Sequence, residues 1–136
     1  MNDEEFRLPT LDEFMARRYP NNGYVEHAEF KDLYVRKGGI AVRFGGKSYR
    51  CDGVITVAAV EAKRPGNGAF TRLVAELVEK GLAIFVECVH NPRFRRKLAE
   101  LGFVRVNGDE DYHYLFNHEG HLKETHGWST VGRTQS

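Results

Sequence analysis

Three groups of residues in this chain have the types and spacing to do chemistry. The first is a glycine turn, Lys63-Arg64-Pro65-Gly66-Asn67-Gly68-Ala69, set between an apolar run and an amphipathic one. Glycines at 66 and 68 let backbone N–H groups come close to an anion. The N-terminus of a following helix adds a partial positive charge. A phosphate or pyrophosphate suits such a turn. Two common nucleotide motifs are excluded: no GK[ST] follows the glycines, and no third glycine completes G-x-G-x-x-G. Taken alone, a G-x-G turn reads somewhat more readily as a tight turn with no ligand.

The second group is a set of candidate proton acceptors. Glu87 ends an apolar run and is followed by His90, while Asp52 stands in the pair Asp52-Gly53. Each has a plainer reading. Asp-Gly is a common turn pair, and a strand-end carboxylate often bonds to backbone or to an arginine. Glu87 ranks first as a general base, because a carboxylate in so apolar a stretch needs a reason. Asp52 ranks second and His90 third. The third group is the basic run Arg93, Arg95, Arg96 and Lys97. A solvated helix face is its preferred reading, and contact with a phosphate or an acidic partner is the other.

The elements that must position these groups follow from periodicity. Thr10 and Glu13 form a capping-box pattern at the start of a helix whose apolar face is Leu11, Phe14, Met15 and Tyr19. Tyr19-Pro20-Asn21-Asn22-Gly23 stops it, and residues 24–30 fit no single pattern. Leu33-Tyr34-Val35 and Ile40–Phe44 are short runs closed by glycine pairs and read as an antiparallel meander. Val54–Val60 is nearly all apolar, as expected of a strand covered on both faces. Phe70, Leu73, Val74, Leu77 and Val78 then repeat at the helical period, up to Lys80-Gly81. Leu82–Val89 is a second apolar strand, so a βαβ unit with parallel strands is expected. Asn91-Pro92 opens a last helix with Phe94, Leu98 and Leu101 on its inner face, ended by Gly102. A hairpin of 103–106 and 112–116 follows. Residues 1–117 form one domain in this reading, and 118–136 are a loose polar tail. Trp128 in that tail packs back on the domain or on a second subunit of a homodimer.

Composition bounds the function. The chain has 136 residues, 41% hydrophobic and 29% charged, which are globular values. Twenty Lys and Arg against nineteen Asp and Glu give a net charge of +1, which argues against a dedicated nucleic-acid binder. No signal peptide or membrane span is legible, so a cytoplasmic location is expected. Cys51 and Cys88 make neither a disulfide framework nor a zinc site and read as buried thiols. His118, His121 and His126 lack metal-ligand order, so no metal is expected.

Two stretches carry a family resemblance. Lys63-x-x-Gly66-x-Gly68 resembles the Q/R-x-x-G-x-G/A loop of the GNAT superfamily of acyl-CoA-dependent N-acetyltransferases, with lysine in place of Gln or Arg. Asn91, Phe94, Leu98, Gly102 and Phe103 fall at the spacing of its N-x-x-A-x-x-x-Y-x-x-x-G-F pattern. Asn, Gly and Phe match; Phe94 replaces a small residue and Leu98 replaces the tyrosine. Residues 33–37 and 86–93 also resemble small acetyltransferase-like proteins encoded by phages. The topology covered is roughly residues 30–117.

The resemblance implies an α/β fold: a GNAT-like mixed sheet with antiparallel N-terminal strands, a central, splayed parallel pair with a crossover helix, and a C-terminal hairpin. It implies acetyl-CoA as co-substrate and acetyl transfer to an amine, on a small molecule or a protein lysine. The backbone of Ala59, Val60 and Glu61 would hold pantetheine, with Asn91 lining it from the other side. Lys63, Arg64, Gly66, Asn67, Gly68 and Ala69 would hold the phosphates. An oxyanion donor is expected near Val60, and the usual tyrosine acid would stand at Leu98. Asp52 lies fourteen positions before Gly66, the spacing at which histone acetyltransferases of the superfamily place their glutamate. The alternative is a binding module on the same scaffold that has lost catalysis and holds CoA, a protein or, less favoured, nucleic acid.

Overall fold

Thr10 starts the first helix as its spacing predicts. In the computed structural model, which describes residues 7–108 and 112–125, α1 spans Leu11–Ala16. The Thr10 hydroxyl accepts from the Glu13 N–H at 3.1 Å, and Glu13 Oε1 accepts from the Thr10 N–H at 2.9 Å. That second bond holds the Glu13 carboxyl below its ordinary range. The remaining helices are α2 (Ala69–Glu79) and α3 (Pro92–Leu101). The strands are β1 (Asn22–Tyr24), β2 (Phe30–Lys37), β3 (Ile40–Phe44), β4 (Lys47–Cys51) and β5 (Val54–Ala62). They are followed by β6 (Ala83–Val86), β7 (Val104–Val106), β8 (His113–Phe116) and β9 (Leu122–Glu124).

The fold is mixed α/β. Six strands form one sheet in the order β1-β2-β5-β6-β8-β7, with β5 and β6 parallel and the other neighbours antiparallel. A separate three-stranded sheet has the order β3-β4-β9. Strand alternation sends Ile55, Val57, Ile84 and Val86 to one face, into a core with Leu73 and Leu77 of α2 and Leu98 of α3. Val54, Ala83, Phe85 and Leu115 face the other way and pack with Val42 and Cys51 of the small sheet. Both faces are covered, so β6 is apolar without a break and the first half of β5 is interrupted only by the buried Thr56. The βαβ unit of the sequence reading is therefore present, with β5 and β6 as parallel neighbours.

The structure corrects several expectations. Residues 33–35 and 40–44 do not form a meander: β2 pairs with β1 and β5, while β3 pairs with β4. Alternation reports which face a strand buries and carries no information about its partner. Residues 24–30, which fit no single sequence pattern, hold the end of β1 and a turn into β2. The strand expected over 82–89 is paired only over Ala83–Val86. Cys88, expected to be buried, is exposed and has a positive φ of 54°. The expected loose tail is ordered through Thr125, because β9 pairs with β4 and the His121 carbonyl accepts from the Asp52 N–H at 3.0 Å. His118 stacks edge-on against Phe44 rather than standing in solvent. Trp128 and His126 lie outside the described residues. Among the described residues, no helix is long and apolar enough to cross a membrane.

Candidate functional site

The parallel ladder between β5 and β6 is short. Its last rung is Val57 opposite Val86, yet β5 runs on to Ala62 against β2. Two local features separate the strands. On β5, Tyr34 pairs with Ala59 and Val35 with Val57, so Ala58 is an extra residue and bulges the strand. After β6, the chain turns away: the Cys88 N–H donates to His113 Nδ1 at 3.0 Å and the Val89 N–H to the Tyr112 carbonyl at 3.1 Å. The segment is drawn toward the β8 side while β5 bends toward β2. A slot of about 170 Å³ opens between them, with Ala59, Val60, Glu87, His90 and Asn91 among its walls. Beyond Val57, the edge of β5 on this side has no strand partner among the described residues.

The glycine turn closes the same end of the sheet. Gly66 and Gly68 have φ of 82° and 79°, values that L side chains rarely adopt. Gly68 is the N-cap of α2 and offers no side chain to the helix's first N–H groups. No acidic residue stands in the first turn of α2. That end is an electropositive, uncapped terminus. Beside it lies a cleft of about 690 Å³. Arg64, Arg93 and Lys97 supply positive charge, Phe30, Val60, Phe70 and Phe94 supply apolar wall, and none of the described lining residues is a carboxylate. The Thr71 hydroxyl in this wall is buried and has no hydrogen-bond partner among the described residues. Cleft and slot share Val60, Asn91 and Phe94, so they adjoin.

The candidate residues separate clearly. Arg64, Gly66, Gly68, Ala69 and Asn91 line the cleft. Asn91 is also a structural residue, since its Oδ1 caps α3, accepting from the Arg93 N–H at 2.8 Å and the Phe94 N–H at 3.2 Å. Lys63 and Asn67 sit on the far side of the loop, with Glu29, around a recess of about 300 Å³. Glu61 lines neither cleft nor slot; its side chain is exposed and pairs with Lys31 at 3.4 Å. Glu87 pairs with Arg36 at 3.2 Å. Asp52 is the misplaced candidate. It is an exposed turn residue paired with Arg50 at 3.0 Å, before the start of β5. Gly53 and the strand residues Val54, Ile55 and Thr56 stand between it and Val57, a span of at most ~17 Å at 3.3 Å per residue. Its spacing before Gly66 therefore runs along the strand, to the wrong end.

Other residues of the site escape a reading of the sequence. The basic run reads there as a solvated face, yet Arg93 and Lys97 line the cleft. Their i, i+4 spacing is the available signal, since it puts both on one helix face. Arg95 instead lies over the Tyr112 ring at 4.0 Å, and Arg96 is exposed. Arg36 and His113 have no local signal, because their partners are distant in sequence. The same holds for Arg72. Its Nε and Nη2 reach the Glu29 carboxylate at 3.0 and 2.5 Å. The bond from Arg72 lowers the Glu29 carboxyl and raises the guanidinium in turn. Among the described residues, no group of three His, Cys, Asp or Glu side chains could hold a metal ion.

No family model matches the chain, and no curated protein or solved structure does so either.

Proposed function

We propose that this chain is an N-acetyltransferase of GNAT type, taking an acetyl group from acetyl-CoA to an amine. The observation that carries the reading is the adjoining cleft and slot. The cleft joins three cations and an uncapped helix start to an apolar wall, which suits a ligand with phosphates at one end and an uncharged arm. The slot suits that arm: its walls mix the apolar Val57, Ala59 and Val60 with polar groups, along a strand edge without a described partner whose N–H and C=O groups can bond amides. The thioester would then lie near Val60. There the amine nitrogen attacks the carbonyl carbon, the N–C bond forms and the C–S bond breaks. The amine proton passes to the Glu87 carboxylate, and a backbone N–H of the β5 edge stabilises the developing oxyanion. CoA leaves as a thiolate and takes its proton from solvent.

A second reading rests on a specific observation. Leu98, where the resemblance implies a tyrosine acid, is fully buried in the core. Glu87 is also held by Arg36. A module that binds CoA without turning it over fits both facts. Thermal melts with acetyl-CoA, CoA and ATP, followed by CoA release with pooled amines, test the two. Stabilisation by both CoA species with amine-dependent release supports the enzyme. Stabilisation without release supports the module. No shift with either CoA species overturns both.

A further inference from the structure

The turn between β1 and β2 is far from the glycine loop in sequence but holds both of its ends. The Lys63 N–H, at the loop's start, donates to the Glu29 carbonyl at 2.9 Å. At its other end, the Asn67 carbonyl accepts from Arg72 Nη2 at 2.8 Å. The same guanidinium forks onto the Glu29 carboxylate through Nε and Nη2. Glu29 is itself anchored to α2, because its N–H donates to His27 Nδ1 at 3.1 Å and His27 Nε2 lies 3.0 Å from Glu76 Oε1. Gly68 takes part by having no side chain: a Cβ there would stand 3.1 Å from Arg72 Nη1.

We propose that Glu29 and Arg72 form a brace that presets the glycine loop, making them positioning residues of the anion site and not contacts of the ligand. Arg72 does not line the cleft, and its guanidinium is committed to Glu29 and Asn67. The charge that meets a phosphate comes from Arg64, Arg93 and Lys97 instead. An exposed ion pair adds little to global stability. A fork shared between a carboxylate and a loop carbonyl instead fixes direction, which a lysine at position 72 cannot copy. The loop would thus be shaped before a ligand arrives, and the ordering cost of binding falls. The brace rests on geometry in the free protein; only its effect on CoA rests on the acetyl-CoA reading.

Amide hydrogen exchange on the full chain, without ligand, reads the brace directly. In Glu29→Ala and in Arg72→Lys, the Lys63 amide should exchange several-fold faster, while the Ile55 amide of the core keeps its rate. Unchanged exchange at Lys63 overturns the proposal. Faster exchange at both amides also overturns it, since the pair would then be supporting the whole fold. The double variant Glu29→Arg/Arg72→Glu restores opposite charges but puts no donor against the Asn67 carbonyl. Its Lys63 amide should stay fast, and full recovery would mean that charge alone matters. CoA titration adds the second arm: both single variants should bind about tenfold more weakly, as loss of a charge-assisted bond implies. Equal binding by either variant, or tighter binding by Glu29→Ala with its Arg72 released to the ligand, overturns the positioning role. A wild-type chain that binds no CoA overturns the acetyl-CoA reading, and the exchange rates still decide the brace.

Discussion

Val57 and Val86 form the last rung of the parallel ladder, and the slot opens immediately beyond them. The bulge at Ala58 and the pull of His113 on Cys88 act on opposite strands at this one level. A slot is therefore obtained without breaking the buried half of the sheet, where Ile55 and Ile84 remain fully covered.

Gly68→Asp should remove the thermal shift given by CoA. A side chain there meets Arg72 Nη1 at 3.1 Å, and its carboxylate faces the same anion as the first turn of α2. At one hundred times Kd the wild type should gain about 2.7 kcal/mol from the ligand. Melts of both proteins with and without CoA check this, each against its own unliganded baseline.

Glu87→Gln should lower acetyl transfer by about a hundredfold at saturating acetyl-CoA, the lower end of what a general base contributes. Asp52→Asn should keep the wild-type rate, because Asp52 sits beyond the far end of β5. Rates of the two variants between pH 6 and 9 decide the matter. Equal rates for Glu87→Gln and wild type would leave positioning as the source of catalysis.

Leu98→Tyr should destabilise the protein by about 1–3 kcal/mol, the usual cost of overpacking a core. Leu98 is fully buried in the core cluster that includes Leu73 and Leu77, so a larger ring has no space and its hydroxyl no water. Denaturant unfolding measures the loss, and transfer assays should show no gain in rate.

Cys88 should react with iodoacetamide at pH 8 in the folded protein while Cys51 stays protected. Cys88 is exposed, whereas Cys51 is fully buried and its thiol is pushed up to about 11, by burial first and by the Asp52 charge second. The thiolate is the reactive form. Mass spectrometry should find one label on the native chain and a second only after unfolding.

The Glu29–Arg72 pair should give an acid-side loss of order confined to the glycine loop. Arg72 holds the folded Glu29 carboxyl below its ordinary value. The pair's contribution is therefore complete above the ordinary carboxylate range and is lost as pH falls through the lowered folded value. The protection factor of the Lys63 amide should fall between pH 7 and pH 3 in wild type and stay level in Glu29→Gln, while that of Ile55 follows the same course in both. Parallel Lys63 curves would show that the pair does not titrate with loop order.

What local order encodes was legible in the amino-acid sequence. The capping box of Thr10 and Glu13, the N-cap of Asn91, the C-cap of Gly102 and the glycine turn at 66–68 are set by neighbours within a few residues. The apolar periods of β5, α2 and β6 likewise named the parallel pair and its crossover helix. Partners distant in the chain were not legible. Nothing in residues 33–51 says that β2 joins β5 while β3 and β4 leave for a second sheet with β9. Glu29 meets Arg72 across 43 positions, and Cys88 meets His113 across 25. Asp52 and Glu87 looked alike as acids in sequence, and only the direction of β5 put one at the slot and the other at the opposite end. Short-range hydrogen bonding and side-chain period are properties of the chain itself. Which edge a strand finds, and which charges then stand together, depends on packing the whole sheet, and the tertiary structure alone decided it.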